Sequence, residues 1–136
     1  VFRQSIAKKG GAPVKKGTLI VATVQGDIHD IGKNIVKTIL ENYGYQVIDL
    51  GRDVPPEAVV EEVRAKDVRL VGLSALMTTT LPAMGETIRL LKDLPDPPVI
   101  FVGGAVVTPE YAGQMGADYY ARDARRSVEI AREVLG

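Results

Sequence analysis

The 136-residue chain predicts an α/β fold, a doubly wound five-stranded parallel sheet, and three observations carry that prediction. The run Leu19-Ile20-Val21-Ala22-Thr23-Val24 shows no alternation of apolar and polar residues, as a strand buried on both faces of a parallel sheet requires. Short apolar runs of this kind then alternate along the chain with segments of helical period. Pro56, Pro82 and Pro109 each fall where the first turn of a helix tolerates a missing N–H.

Residues 1–17 are basic, contain Gly10-Gly11 and Pro13, and show no sustained period, so they read as a linker or the remnant of a preceding domain. Strand one follows from Thr18 to Val24. From Ile31, apolar residues at Ile35, Val36, Ile39 and Leu40 with Lys33, Asn34, Lys37 and Glu41 opposite describe an amphipathic helix, which Gly44 ends as a C′ residue. Strand Gln46 to Leu50 leads to a helix after Pro55-Pro56 with Val59, Val60 and Val63 inward. Strand Leu70 to Ser74 leads to helix Pro82 to Leu91, strand Val99 to Val102 to helix Pro109 to Met115, and strand Asp118 to Ala121 to a last helix carrying Val128, Ala131 and Val134. Right-handed crossovers then place helices on both faces of the sheet, and the flavodoxin-like order 2-1-3-4-5 is the expected topology. Residues 18–136 form one domain in this reading.

Lys plus Arg and Asp plus Glu number 17 each, so no basic face for nucleic acid is implied. Cysteine is absent, which excludes disulfides, thiolate metal sites and a Cys nucleophile. No apolar run approaches membrane-spanning length and no signal-peptide core opens the chain, so the expectation is a cytoplasmic protein with no membrane partner.

In an open parallel sheet, ligands bind outside the carboxyl ends of the strands, at the switch point between strands one and three. The unusual residues of this chain collect there. Asp27, His29 and Gly32 follow strand one, Ser74 to Thr80 follow strand three, and Gly103-Gly104 follow strand four. The hydroxyl cluster across from the histidine loop makes a polar-walled slot able to accept a heterocycle. Each part has a plain structural use as well: a tight turn for the glycines, a helix N-cap region for the threonines. His29, the single histidine, is either an imidazole hydrogen-bonded to Asp27 or Asp30, or an open-sided metal ligand whose other nitrogen donates to Asp27. Zinc fits poorly, because it wants three or four protein ligands and the chain has no second His and no Cys. A cofactor that brings its own equatorial ligands needs only one.

Other users of this fold fit less well. A phosphoacceptor response regulator needs an acid ending strand three and a lysine after strand five, where Ser74 and Arg122 stand. A flavodoxin wants a Ser/Thr-rich loop after strand one and aromatics against the flavin. A dinucleotide site needs Gly-x-Gly-x-x-Gly, which is absent.

The sequence resembles the cobalamin (corrinoid) binding domain, whose signature Asp-x-His-x-x-Gly, Ser-x-Leu and Gly-Gly stands here as Asp27-Ile28-His29-Asp30-Ile31-Gly32, Ser74-Ala75-Leu76 and Gly103-Gly104. Residues 33–73 and 77–102 separate the three parts, intervals that fit the family, and the likeness runs from about Gly17 to the C-terminus. The resemblance implies cobalamin bound base-off with His29 as the lower axial ligand of cobalt and Asp27 accepting its hydrogen bond. It implies Ser74 and Thr78 facing the displaced tail or its loop, and Gly103-Gly104 permitting its entry. The remaining expected cofactor-binding positions are Asp30, Ile31, Gly32, Leu76, Ala121 and Asp123. Thr80 falls where related methyltransferase domains place a serine that completes a His-Asp-hydroxyl relay, so Asp27, His29 and Thr80 are the expected relay.

Ile31 stands where the mutase branch usually has arginine, and Gly-Asp-Ile-His-Asp-Ile-Gly-Lys-Asn-Ile-Val looks like the methyl-transferring branch. Leu-Ser-Ala-Leu-Met-Thr-Thr-Thr and Val-Gly-Gly-Ala-Val-Val-Thr are similar to the small corrinoid proteins of methanol, methylamine and O-demethylase systems. The implied function is to carry a methyl group, as methylcobalamin, between a substrate methyltransferase and an acceptor methyltransferase of tetrahydrofolate or thiol type, with a reductive activase as a further partner. Such a carrier is not catalytic alone. The alternatives are a domain of methionine synthase or of an adenosylcobalamin-dependent mutase, or a cobalamin sensor. Related proteins carry an N-terminal helical cap over the reactive face, of which residues 1–17 would be the remnant.

Overall fold

A computed structural model describes residues 17–136, and the expected linker or cap remnant lies outside them except for Gly17. Gly17 belongs to the fold: its carbonyl accepts the Gln46 N–H, continuing the pairing of the first two strands. The elements in order are β1 (Thr18–Thr23), α1 (Ile31–Asn42), β2 (Gln46–Asp49), α2 (Pro56–Lys66), β3 (Leu70–Ser74), a 3-10 turn (Thr78–Thr80), α3 (Leu81–Lys92), β4 (Val99–Gly103), α4 (Pro109–Met115), β5 (Tyr119–Tyr120) and α5 (Ala124–Leu135).

The strands form one sheet in the order β2-β1-β3-β4-β5, every neighbouring pair parallel, as the sequence predicts. The register aligns Val21, Gly72 and Phe101 in one row and Thr23, Ser74 and Gly103 in another, so the polar and small residues arrive together at the carboxyl edge. Strand five is shorter than expected, two residues paired with Phe101 and Val102. Val24 leaves the β1 ladder and forms an isolated bridge to Val54.

One face of the sheet is covered by α2, α3 and α4, where Val59, Val63, Met84, Ile88 and Ala112 pack against Ile20, Val71, Leu73, Ile100 and Val102. The other face is covered by α1 and α5, where Leu40, Val128, Ile130 and Ala131 meet Leu19, Val21, Leu70 and Phe101. Pro56 opens α2, Pro82 lies in the first turn of α3 and Pro109 opens α4, each with its missing N–H harmless. Thr108 and Asp123 cap α4 and α5 by accepting the N–H groups of Tyr111 and Arg126.

Helix α1 departs from its expected orientation. Lys33, assigned by periodicity to the polar side, is 4% exposed, while Ile35 is 50% and Ile31 76% exposed. The reason is a partner the period does not contain: Lys33 Nζ donates to both carboxylate oxygens of Asp49 at 2.6 and 2.8 Å and to Asn34 Oδ1 at 2.8 Å. All three ammonium protons are thereby used, which is what allows a lysine to be buried. Pairing α1 to the end of β2 turns Ile31 and Ile35 away from the packed core.

Candidate functional site

The loop after β1 is held from two sides. The Asp27 N–H donates to the Val24 carbonyl at 3.1 Å, and Gly26, at φ 89°, donates its N–H to Asp53 Oδ1 at 2.7 Å. Asp53 is itself in the left-handed region at φ 56° and returns its N–H to the Asp27 carbonyl at 2.9 Å. The sequence reading missed Asp53. An Asp two residues before Pro55 at the end of a strand was the available signal, since Asp tolerates that conformation in turns.

This scaffold places the Asp27 carboxylate, 0% exposed, at the centre of five donors. Oδ1 accepts the His29 N–H at 3.0 Å and bonds His29 Nδ1 at 2.8 Å. Oδ2 accepts the N–H groups of Leu76 at 2.7 Å and Met77 at 3.1 Å and the Thr80 hydroxyl at 3.1 Å. Burial pushes the carboxyl up, but the bonds from the Leu76 N–H, the His29 ring and N–H and the Thr80 hydroxyl outweigh it and hold the carboxyl at about 2. Asp27 is therefore ionised and purely an acceptor at neutral pH. In the neutral imidazole this selects one tautomer: Nδ1 carries the proton and donates it to Asp27, and the lone pair falls on Nε2. The His29 side chain is half exposed, so that nitrogen is open to a ligand.

Thr80 occupies the N-cap position of α3 without making a cap bond. Its single hydroxyl proton is shared between Asp27 Oδ2 and the Met77 carbonyl, the latter at 2.8 Å. The expected N-cap role of the threonines is thus replaced by a 3-10 turn that brings Thr80 behind Asp27. Asp30 stands at the N-cap of α1, also without a side-chain cap bond.

Beside this loop is a cavity of about 390 Å³ between the sheet and helices α1 and α5. Its walls include Val21, Ser74, Phe101 and Gly103 from the sheet, Gly32 and Lys33 from α1, and Asp123 and Ser127 from α5, with Leu76, Gly104 and Ala121 at the strand ends. Glycine is required here for space. A Cβ on Gly72 would run into the Phe101 ring, and Gly104, at φ 122°, would set its Cβ against the Ala75 carbonyl.

The predicted residues therefore divide. Asp27, His29 and Thr80 are joined by hydrogen bonds, and Gly32, Ser74, Leu76, Gly103, Gly104, Ala121 and Asp123 line the cavity. The carboxylate of Asp123 is already engaged by the Arg126 N–H. Ile31 is exposed, and Thr78 is exposed and outside the cavity wall. Sequence reasoning missed Lys33, Thr23, Gly72 and Phe101; of these, the glycine inside an apolar strand was the readable signal of a close approach.

Among the described residues no group of three or more His, Cys, Asp or Glu is arranged to hold a metal ion. One imidazole with a fixed free nitrogen fits a metal that arrives inside its own ring of ligands. Ile28, Ile31, Leu76 and Met77 around His29 expose apolar side chains, an edge suited to a large, flat ligand. No helix of the described residues is long and apolar enough to cross a membrane.

Comparison with known proteins gives the family and the fold. The chain is 43% identical over 134 residues to dimethylamine corrinoid protein 3 of Methanosarcina mazei, an alignment covering 97% of this chain and 80% of the relative. Against other dimethylamine corrinoid proteins of Methanosarcina it spans about 60% of their length. The fold matches a cobalamin-binding protein of Desulfitobacterium hafniense with TM-score 0.84 and 38% identity, covering 88% of this chain and 60% of that one. It matches the methanol:cobalamin methyltransferase complex of Methanosarcina barkeri with TM-score 0.86 and 37% identity, covering 90% of this chain and 47% of that one. The profile of the B12 binding domain matches residues 17–129, and the chain belongs to the B12-binding domain family.

Proposed function

We propose that this chain is the corrinoid-binding module of a methyl carrier, with cobalamin held base-off and His29 Nε2 as the lower axial ligand of cobalt. The observation that carries the reading is the Asp27 carboxylate, whose five donors keep it ionised and thereby leave Nε2 of His29 as the open nitrogen. When bound, the cofactor supplies a cobalt centre that accepts and releases a methyl group, methylcobalamin being the working form.

The residues of the chain do the rest. Asp27 orients the imidazole and raises its basicity as a ligand, and Thr80 secures Asp27 from behind. The Asp27 carboxylate accepts the hydrogen bond from His29 Nδ1 and would keep Nε2 directed at the metal. Ser74, Gly103 and Gly104 receive the displaced tail in the cavity, while the apolar side chains of Ile28, Ile31, Leu76 and Met77 meet the corrin edge. Likeness to a dimethylamine corrinoid protein and to the methanol complex supports a substrate methyltransferase as partner. An acceptor methyltransferase, a reductive activase, a helical cap over the upper face and a cytoplasmic setting complete the proposal. The chain then acts as a shuttle for separate enzymes and does not catalyse alone.

Reconstitution with methylcobalamin tests this. The expected result is a visible spectrum of axial nitrogen ligation and, in the Co(II) form, nitrogen hyperfine coupling; His29→Ala should lose both and bind more weakly. Asp27→Asn should cost on the order of 10 to 100-fold in affinity. Unchanged spectra in His29→Ala would remove His29 as the ligand. Methyl transfer to the holo-protein from donor and candidate methyltransferase separates a carrier from a sensor.

A further inference from the structure

The loops after β1 and β2 grip each other at the carboxyl edge. The Asp53 carboxylate accepts the Gly26 N–H at 2.7 Å, the Asp53 N–H donates to the Asp27 carbonyl at 2.9 Å, and the Val54 N–H donates to the Thr23 carbonyl at 3.1 Å. With the Asp27 N–H on the Val24 carbonyl, both backbone polar groups of Asp27 are engaged, and the direction of its side chain is set by that frame. Thr80 hems in the same turn, its methyl 3.3 Å from where a Cβ on Gly26 would lie. Asp53 holds a left-handed backbone at φ 56° to make these bonds. Among the described residues only one other non-glycine residue does so, Asp67 at φ 53°, and it ends α2 as a C-cap with its N–H on the Val63 carbonyl. A left-handed residue at a helix end is routine. Asp53 ends no helix, so its strain has another reason. Its carboxylate forms no ion pair among the described residues, which leaves the bond to Gly26 as the work of that side chain.

We propose that Asp53 is a positioning residue for the axial ligand: through Gly26 and the Asp27 backbone it fixes the carboxylate that aims His29 Nε2, so that the imidazole is in place before a corrinoid arrives. The inference rests on the reading of His29 as the lower ligand of cobalt. Asp53 makes no hydrogen bond to His29, and its effect passes through Asp27 Oδ1, 2.8 Å from His29 Nδ1. A turn released from Asp53 lets the carboxylate and the imidazole wander together, and binding then has to order them, a cost that the gripped turn avoids.

The test measures cobalamin affinity and Co(II) nitrogen hyperfine coupling for the wild type, Asp53→Gly and Asp53→Asn, each with His29 intact and in the His29→Ala background. Glycine keeps the left-handed backbone and the N–H to Asp27 and loses only the carboxylate; asparagine keeps the backbone and an acceptor oxygen and loses only the charge. With His29 intact, Asp53→Gly should weaken cobalamin binding about three- to tenfold and reduce the share of protein showing axial nitrogen coupling, and Asp53→Asn should restore both. In the His29→Ala background Asp53→Gly should cost nothing further, because the group it acts through is gone. An equal loss in that background, undiminished affinity and coupling in Asp53→Gly, or an Asp53→Asn protein as weak as Asp53→Gly would each overturn the proposal, leaving Asp53 a direct contact, a dispensable turn residue or a charge. Failure of the underlying reading shows separately, as a wild-type complex without axial nitrogen coupling, and it would take the proposal with it.

Discussion

The two faces of the sheet are built from the same strands and put to opposite uses. Toward α2, α3 and α4 the central strands present Ile20, Ala22, Val71, Leu73, Ile100 and Val102, and this face is filled to the carboxyl edge. Toward α1 and α5 they present Leu19, Leu70 and Val99 at the amino end but Thr23, Gly72, Ser74 and Gly103 near the carboxyl end. Large residues close one half of that face and small ones leave the other half open as the cavity. The alternation of side chains along a strand lets one sheet separate stability from binding.

The largest effect is expected on the filled face. Ile100 is fully buried among α2, α3 and α4 contacts, and Ile100→Ala should cost about 2–5 kcal/mol by lost burial and the cavity left behind. Urea unfolding of the ligand-free protein measures this. Below the transition the variant should still load corrinoid with unchanged affinity; a parallel loss of affinity would break the division between the faces.

Next in size is acid sensitivity at the rim of the hollow face. Asp27 has a folded value of about 2 against an ordinary 3.8, so ionised Asp27 contributes roughly 2 kcal/mol at neutral pH. Because the folded value is depressed, that stability is fully present above about pH 4 and is lost as the pH falls through about 2. Unfolding of the cofactor-free protein between pH 5 and 2 should show the wild type converging on Asp27→Asn at the acid end. A constant gap between the two would place the stabilisation elsewhere.

The filled face was legible in the sequence, and the hollow one only in part. Unbroken apolar strands and prolines at helix starts are local signals, and they yielded the strand order, both ends of α4 and, to within one residue, both ends of α3. Asp27, His29, Ser74 and Gly103-Gly104 were legible because each sits in a short motif at a strand end. Lys33 was not, because helical periodicity assumes one apolar face and has no place for a lysine whose counter-ion, Asp49, comes from another strand. Thr23 was hidden for a similar reason: within Leu-Ile-Val-Ala-Thr-Val it reads as a β-branched strand former, and its hydroxyl acquires meaning only beside Ser74. Asp53 offered only its residue type and its place before Pro55, and its meaning comes from the bonds it makes to Gly26 and Asp27 across the loop.

Gly72→Ala has the smallest expected effect on stability and sharpens the comparison most. Its Cβ meets the Phe101 ring, so the ring must move. On a filled face such overpacking costs about 1–3 kcal/mol, but here the ring has the adjoining cavity to move into, so the cost should sit at the low end, about 1 kcal/mol. The displaced ring then occupies volume meant for the corrinoid tail. Cobalamin affinity should fall on the order of tenfold while cobinamide, lacking the tail, binds as before. Ile100→Ala and Gly72→Ala thus form a crossed pair: the first removes stability and spares binding, the second removes binding and nearly spares stability. If Gly72→Ala instead destabilised the protein as much as Ile100→Ala, with cobalamin and cobinamide equally affected, the hollow half of the face would be ordinary core, and the tail would have to bind elsewhere.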